Sequence, residues 1–237
     1  MTTLGASEFE RSQLQLIRNS VSILHWASTP DDHRNGSMFF INTGAGLFGV
    51  TARHVYEDCQ RAFAEKNVLC KINGMPFDPT GRLVSAGVTC DVATFKVSDD
   101  EFQKLDRLTV PWPPVIPDVG QPVLLAGFPG CEKSFPGSNS IDLRMYAAKW
   151  TVHSVSDRDI SIVRPPDSEV LDVHGGGFPE SQYDFGGMSG GPVAIVLDEG
   201  PIFSWALSGI IYESQQSLEI LKAVRADVLN EHGLLTI

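Results

Sequence analysis

Apolar positions along this chain recur mostly in short runs broken by Gly, Pro, Asn and Asp, the pattern of many brief strands rather than a few long helices. Residues 8–19 are an exception, with Phe9, Leu14, Leu16 and Ile17 in a loosely helical spacing, and the apolar run 20–27 that follows favours a strand. Segment 29–36, rich in Pro, Asp and Asn, reads as a loop. Residues 37–41 and 47–51 form a hairpin around the turn 42–46, and 52–56 add a short helical turn. Further strands are expected at 67–72, 81–86 and 91–97, each bounded by Gly, Pro or charge clusters. Pro111, Pro113, Pro114 and Pro117 mark 108–121 as a linker, since proline continues neither a helix nor a central strand. A second β set follows at 122–128, 141–155, 160–164, 192–197 and 202–212. Finally Leu218, Leu221, Val224, Val228 and Leu229 share one face of a helix over 218–231, ended by Gly233.

This layout predicts a β-barrel or sandwich rather than a parallel sheet, and two barrels of similar strand count fit it. The chain has 237 residues, enough for one large or two small domains. Its net charge of −11 argues against a nucleic-acid backbone or an anionic membrane as the main partner. No apolar run is long enough to span a bilayer, and Glu8, Glu10, Arg11 and Arg18 stand where a leader peptide would be apolar, so the expected compartment is cytoplasmic. Cys59, Cys70, Cys90 and Cys131 are scattered without a CxxC pair, which favours reduced, mostly buried thiols over a zinc knuckle and leaves a single disulfide open.

The candidate chemistry centres on Asp184-Phe185-Gly186-Gly187-Met188-Ser189-Gly190-Gly191-Pro192. Its glycines leave the Ser189 hydroxyl with little backbone cover and let neighbouring amides turn inward. Acyl transfer by a serine needs a base for its proton and amide donors for the oxyanion, and Gly187 and Ser189 can supply that pair of donors. Two upstream segments, Val50-Thr51-Ala52-Arg53-His54-Val55 and Cys90-Asp91-Val92-Ala93-Thr94-Phe95-Lys96-Val97, together with the serine loop, resemble the motifs of the trypsin-like (chymotrypsin-fold) serine peptidases, in that family's order of His, Asp, Ser. Gly36-Ser37-Met38-Phe39-Phe40-Ile41 and Leu125-Ala126-Gly127-Phe128-Pro129 extend the likeness, which runs from about residue 20 to 212. It implies two six-stranded antiparallel β-barrels, with a short N-terminal and a C-terminal helix added. The divisions are then 1–20 (helical extension), 21–107 (first barrel, with His54 and Asp91), 108–121 (linker), 122–214 (second barrel, with Ser189) and 215–237 (C-terminal helix). It also implies that His54 accepts the Ser189 proton, that Asp91 holds the other ring nitrogen, and that no metal or organic cofactor takes part.

The chain departs from secreted members of that family. Met188 stands directly before the serine, where they carry the Asp that pairs with a new N-terminus after propeptide cleavage, and no cysteines bridge the histidine loop. The likeness is therefore to the intracellular bacterial type, with a site that forms on folding or answers to a regulatory protein partner. Tyr183, six before Ser189, falls where the family sets the floor of its primary pocket, and Tyr212, Glu213 and Ser214 fall on the strand that pairs with an extended polypeptide substrate; an uncharged side chain is the expected occupant. The leading reading is a serine endopeptidase. Its rivals are a protease-fold module that binds peptides or partner proteins and hydrolyses nothing, and a small-molecule esterase or amidase.

Other motifs point elsewhere and fail on context. Gly44-Ala45-Gly46-Leu47-Phe48-Gly49 fits GxGxxG, but the strand after it ends in Asn73-Gly74 without an acidic residue for a ribose. Gly187-Met188-Ser189-Gly190-Gly191 also fits GxSxG, with His174-Gly175-Gly176-Gly177 as a would-be oxyanion motif, yet the serine runs into a strand rather than the helix an α/β-hydrolase requires. His54, Asp58 and Cys59 lack a suitably spaced third metal-ligating partner.

Overall fold

The computed structural model describes residues 8–27, 32–65, 68–137, 140–165, 183–199 and 202–236. Helix α1 (Glu8–Ser20) buries Gln13, Leu14, Ile17 and Ser20, positions i, i+1, i+4 and i+7, which share one helical face. Strands β1 (Val21–Ala27), β2 (Arg34–Asn42), β3 (Leu47–Ala52), β4 (Leu69–Ile72), β5 (Met75–Pro76), β6 (Leu83–Gly87) and β7 (Val92–Lys96) form one sheet in the order β5-β4-β1-β2-β3-β7-β6. Helix α2 (Arg53–Ala64) leaves β3 without a loop, and α3 (Asp99–Leu105) follows β7. Ser98 caps α3 by accepting the Glu101 amide while the Glu101 carboxylate accepts the Ser98 amide, a reciprocal box that fixes the helix start.

Strand periodicity splits the first sheet's side chains between two cores. Leu24, Trp26, Met38, Phe40 and Phe95 face α2, packing with Val55, Tyr56 and Cys59. On the opposite face, Phe39, Ile41, Val50 and Val92 meet Leu207, Ile210 and Val224 of the second unit. That shared layer locks the two units together, each fully buried large side chain contributing about 1.5–3 kcal/mol. The segment between the units is bound to both: Val110 N–H donates to the Phe40 carbonyl and Val115 N–H to the Leu207 carbonyl.

The second unit is a closed barrel of β8 (Pro122–Gly127), β11 (Tyr146–Val155), β12 (Asp159–Val163), β13 (Pro192–Glu199), β14 (Ile202–Gln215) and β15 (Ile220–Arg225), in the order β11-β12-β15-β14-β13-β8. Val123, Leu125, Trp150, Ile160, Val193 and Leu221 fill it. A separate hairpin, β9 (Lys133–Gly137) with β10 (Ser140–Leu143), stands outside the barrel.

Three expectations are corrected. The first unit is an open seven-stranded sheet rather than a closed six-stranded barrel: its edge strand β5 has two residues, one of them Pro76, which has no N–H to offer a partner across the gap. Residues 52–56 open a 12-residue helix, not a single turn, because Val55, Tyr56 and Cys59 give it a buried face. The C-terminal helix over 218–231 is replaced by β15, which pairs with β12 and β14 and closes the barrel. Leu221 and Ala223 point inward and Val224 to the shared layer, so the apolar spacing served a strand buried on both faces.

Candidate functional site

Helix α2 begins without a cap of its own. Ala52 occupies the N-cap position and offers no side-chain acceptor to the free amides of the first turn. Asp91, just before β7, fills that role from across the sheet: its Oδ1 accepts the His54 N–H at 3.0 Å and its carbonyl accepts the Arg53 N–H at 2.8 Å. The positive end of the helix favours a carboxylate at this place. The other oxygen, Oδ2, lies 2.6 Å from His54 Nδ1. A carboxylate there keeps the ring proton on Nδ1 and leaves Nε2 as an acceptor. That hydrogen bond raises the His54 pKa above its ordinary value, against the opposing effect of burial. Asp91 holds this pose with φ 49°, a left-handed conformation that Asp tolerates better than most residues.

Ser189 is carried by a loop pinned on both sides. The Met188 side chain is fully buried in the second barrel with Phe185 and Val193. The Ser189 carbonyl accepts the Ser37 N–H at 2.9 Å, and Gly190 N–H donates to the Ile211 carbonyl at 2.7 Å. Gly190 must be glycine: with φ 88°, a Cβ would lie 2.0 Å from the Ser37 carbonyl oxygen. Gly187, with φ 98°, is equally confined, since a Cβ would sit 2.6 Å from the Phe128 oxygen. Among the described residues the amides of Gly187 and Ser189 donate to no group. The Ser189 hydroxyl donates to the Tyr212 carbonyl at 3.2 Å, and no hydrogen bond joins it to His54.

His54, Gly187 and Ser189 line one pocket of about 280 Å³, with Trp26, Asn35 and Lys133 among its other lining residues. The expected substrate residues are not among those that line this pocket. Tyr183 packs on Phe185 and Tyr146 and its hydroxyl donates to Glu132 at 2.7 Å; burial first, and this bond second, drive its pKa up. Burial pushes the Tyr212 pKa up to about 12. Glu213 and Ser214 pair with Lys222 and Leu221 of β15. The pairing of β13 with β14 ends at Pro192 and Ile210, so among the described residues no strand lies on that side of the β14 edge beyond Tyr212. The motif His174-Gly175-Gly176-Gly177 lies outside the described residues, whereas Pro192–Glu199 is a strand, as read from sequence. Asp58 pairs with Arg61, and the four cysteines are unpaired, with Cys131 exposed. Among the described residues no helix is long and apolar enough to cross a membrane.

Two participants escaped the sequence reading. Ser37 is fully buried, with Oγ accepting the Phe128 N–H at 2.8 Å and donating to the Gly187 carbonyl at 2.9 Å, so it joins β2, the end of β8 and the serine loop. Lys133 reaches the pocket from β9. The Gly36-Ser37 motif drew notice, but nothing local shows that its hydroxyl bridges to a carbonyl 150 residues away.

An open β-sheet and a closed six-stranded barrel, packed face to face with a helix-borne histidine at their junction, give the chymotrypsin-type fold of serine proteases. Solved structures of that kind match over nearly the whole chain. The Rv3671c protease of M. tuberculosis in its active form aligns at a TM-score of 0.53 and 15% identity, covering 96% of this chain and 86% of that one. The serine endoprotease of Yersinia pestis gives 0.56 and 15%, covering 95% and 65%, and the scabies mite inactivated protease paralogue S-I1 gives 0.54 and 12%, covering 94% of each. No protein-family model and no curated protein matches the sequence. Identities this low carry the fold alone.

Proposed function

We propose that this protein is a serine endopeptidase working through Ser189, His54 and Asp91. The observation that carries the reading is that the Asp91-held His54 ring and Ser189 line the same pocket, beside two unengaged amides. In the first step the Ser189 hydroxyl leaves the Tyr212 carbonyl by rotation about its side-chain bond and gives its proton to His54 Nε2. Its oxygen attacks the substrate carbonyl carbon. The electron pair displaced onto the carbonyl oxygen is stabilised by the Gly187 and Ser189 N–H groups. Collapse breaks the C–N bond as the imidazolium hands its proton to the leaving amine, and water repeats the sequence to release the acyl group. Asp91 stays ionised throughout and holds the ring. The acyl portion of an extended polypeptide pairs with the free edge of β14 at Tyr212 to Ser214.

The bond to Tyr212 holds the hydroxyl away from its base, which favours a second reading, a peptide-binding module that does not hydrolyse; one structural neighbour is itself an inactivated paralogue. A regulatory partner that turns Ser189 toward His54 would reconcile the two. Four unpaired thiols support a reducing compartment, and Met188 in place of an activation Asp supports the intracellular bacterial type. Reaction with a fluorophosphonate probe separates the readings. The endopeptidase labels at Ser189 and the Ser189→Ala variant does not, whereas the binding module leaves the wild-type protein unlabelled.

A further inference from the structure

The pocket beside Ser189 contains no residue of β14, the strand that receives the acyl portion of a substrate. A polypeptide lying along β14 and crossing Ser189 therefore enters this pocket with the residues that follow the cleaved bond. Two of the pocket's charged lining residues, Arg34 and Asp58, are paired with neighbours outside the lining. Arg34 lies 3.6 Å from Asp32, and Asp58 lies 2.9 Å from Arg61. His25 Nδ1 and His33 Nε2 share a contact of 3.0 Å, and burial drives His25 down to about 4 and His33 down as well, so at neutral pH the pair adds no charge.

Lys133 is different. Its Nζ donates to the His33 carbonyl at 2.8 Å, and among the described residues no carboxylate forms a salt bridge with it. One of three donors is thus spent on the carbonyl of His33, itself a lining residue of the pocket, and two remain. The group is partly desolvated, which lowers its pKa, and an acidic ligand would offset that cost. In a chain with net charge −11, a half-buried cation without a carboxylate partner is a local inversion of sign at the site.

We infer that Lys133 makes this pocket selective for an acidic side chain immediately after the cleaved bond, a specificity that rests on the endopeptidase reading for its position relative to the scissile amide. A charge-assisted hydrogen bond of this kind corresponds to about tenfold in affinity.

The test uses Ser189→Ala protein titrated with the leaving-group mimics Glu-Ala-Ala-amide and Gln-Ala-Ala-amide, followed by NMR shifts. The glutamate peptide should bind about tenfold more tightly, Lys133→Gln should abolish the difference, and Lys133→Arg should retain most of it. Equal affinities, a preference that survives Lys133→Gln, or binding of neither peptide overturns the proposal. Cleavage of a randomised peptide library by the wild-type protein is scored separately. If nothing is cleaved while the Lys133-dependent preference stands, the endopeptidase reading falls and the pocket remains an acidic-peptide site.

Discussion

Asp91 offers two oxygens to two different hydrogens of the same residue, the backbone N–H and the ring N–H of His54. Capping and ring orientation are thus one interaction: the carboxylate that starts α2 also sets which ring nitrogen faces the pocket. The effect on pH follows from the raised His54 pKa. The proposed base works only when neutral, so kcat/KM falls as pH drops through that pKa, and the acid limb lies above the ordinary histidine value near 6.5. Asp91→Asn removes the negative partner of the imidazolium. It should move the His54 titration, read by NMR of the ring Cε1 proton, to lower pH and shift the acid limb the same way. The amide can also donate to Nδ1 and leave the proton on Nε2, so the maximal rate should fall on the order of 10⁴-fold. An unmoved titration would show that Asp91 does not hold the ring. The residue types of the proposed triad and their order were readable in the sequence, because the chemistry proposed for them selects those types. The capping role was not, since a helix and its cap 37 residues apart leave no local trace.

Among the elements, β2 has most to do with presenting Ser189, although it carries none of the three proposed catalytic side chains. Ser37 on this strand donates its N–H to the Ser189 carbonyl, while its Oγ joins Phe128 to Gly187. Ser37→Ala leaves the buried Phe128 N–H without that acceptor, a loss of about 1–3 kcal/mol. It also frees the carbonyl end of the turn whose amide faces the proposed oxyanion. Thermal unfolding should show the stability loss, and labelling by the fluorophosphonate probe should slow under conditions where the variant is fully folded. Stability loss with unchanged labelling would mean that the turn keeps its shape without this link. Most strands were legible because their alternation and flanking Gly and Pro are local features. Strand β15 was not, because apolar residues three and four apart also serve a strand with both faces covered, and what decides between helix and strand is the open slot between β12 and β14. The length of α2 was missed for a related reason: its buried face exists only against the sheet that it covers.

At the scale of the molecule, the end of the chain returns from the second barrel to the first sheet. After β15 it passes a 3₁₀ turn (Ala226–Val228) and a bridge between Leu229 and Leu235. It then sets the Gly233 carbonyl 2.6 Å from the buried Thr94 hydroxyl of β7, and the Leu235 N–H 3.3 Å from Ser85 Oγ of β6. Thr43, in the hairpin after β2, donates to the Glu231 carbonyl at 2.5 Å. The expected helix over 218–231 gives way to β15 in the barrel followed by this return, whose residues 231–235 contact the first sheet near its open edge at β6. Thr94 and Gly233 are separated by 139 positions, beyond the reach of any local pattern. Deleting residues 230–237 removes these bonds together and uncovers Phe48, which packs where a Cβ on Gly233 would fall. The expected cost is about 2–4 kcal/mol, concentrated in the first unit. Hydrogen exchange should show protection lost in β3, β6 and β7 while β11 and β12 keep theirs, and the region around His54 and Asp91 should loosen before the loop that carries Ser189. Thr94→Val is the milder version, costing about 1–2 kcal/mol by orphaning one carbonyl, and it reports the same ordering if the truncated chain does not accumulate. Equal loss of protection in both units would show that they unfold as one body and that the strap only adds to a common stability.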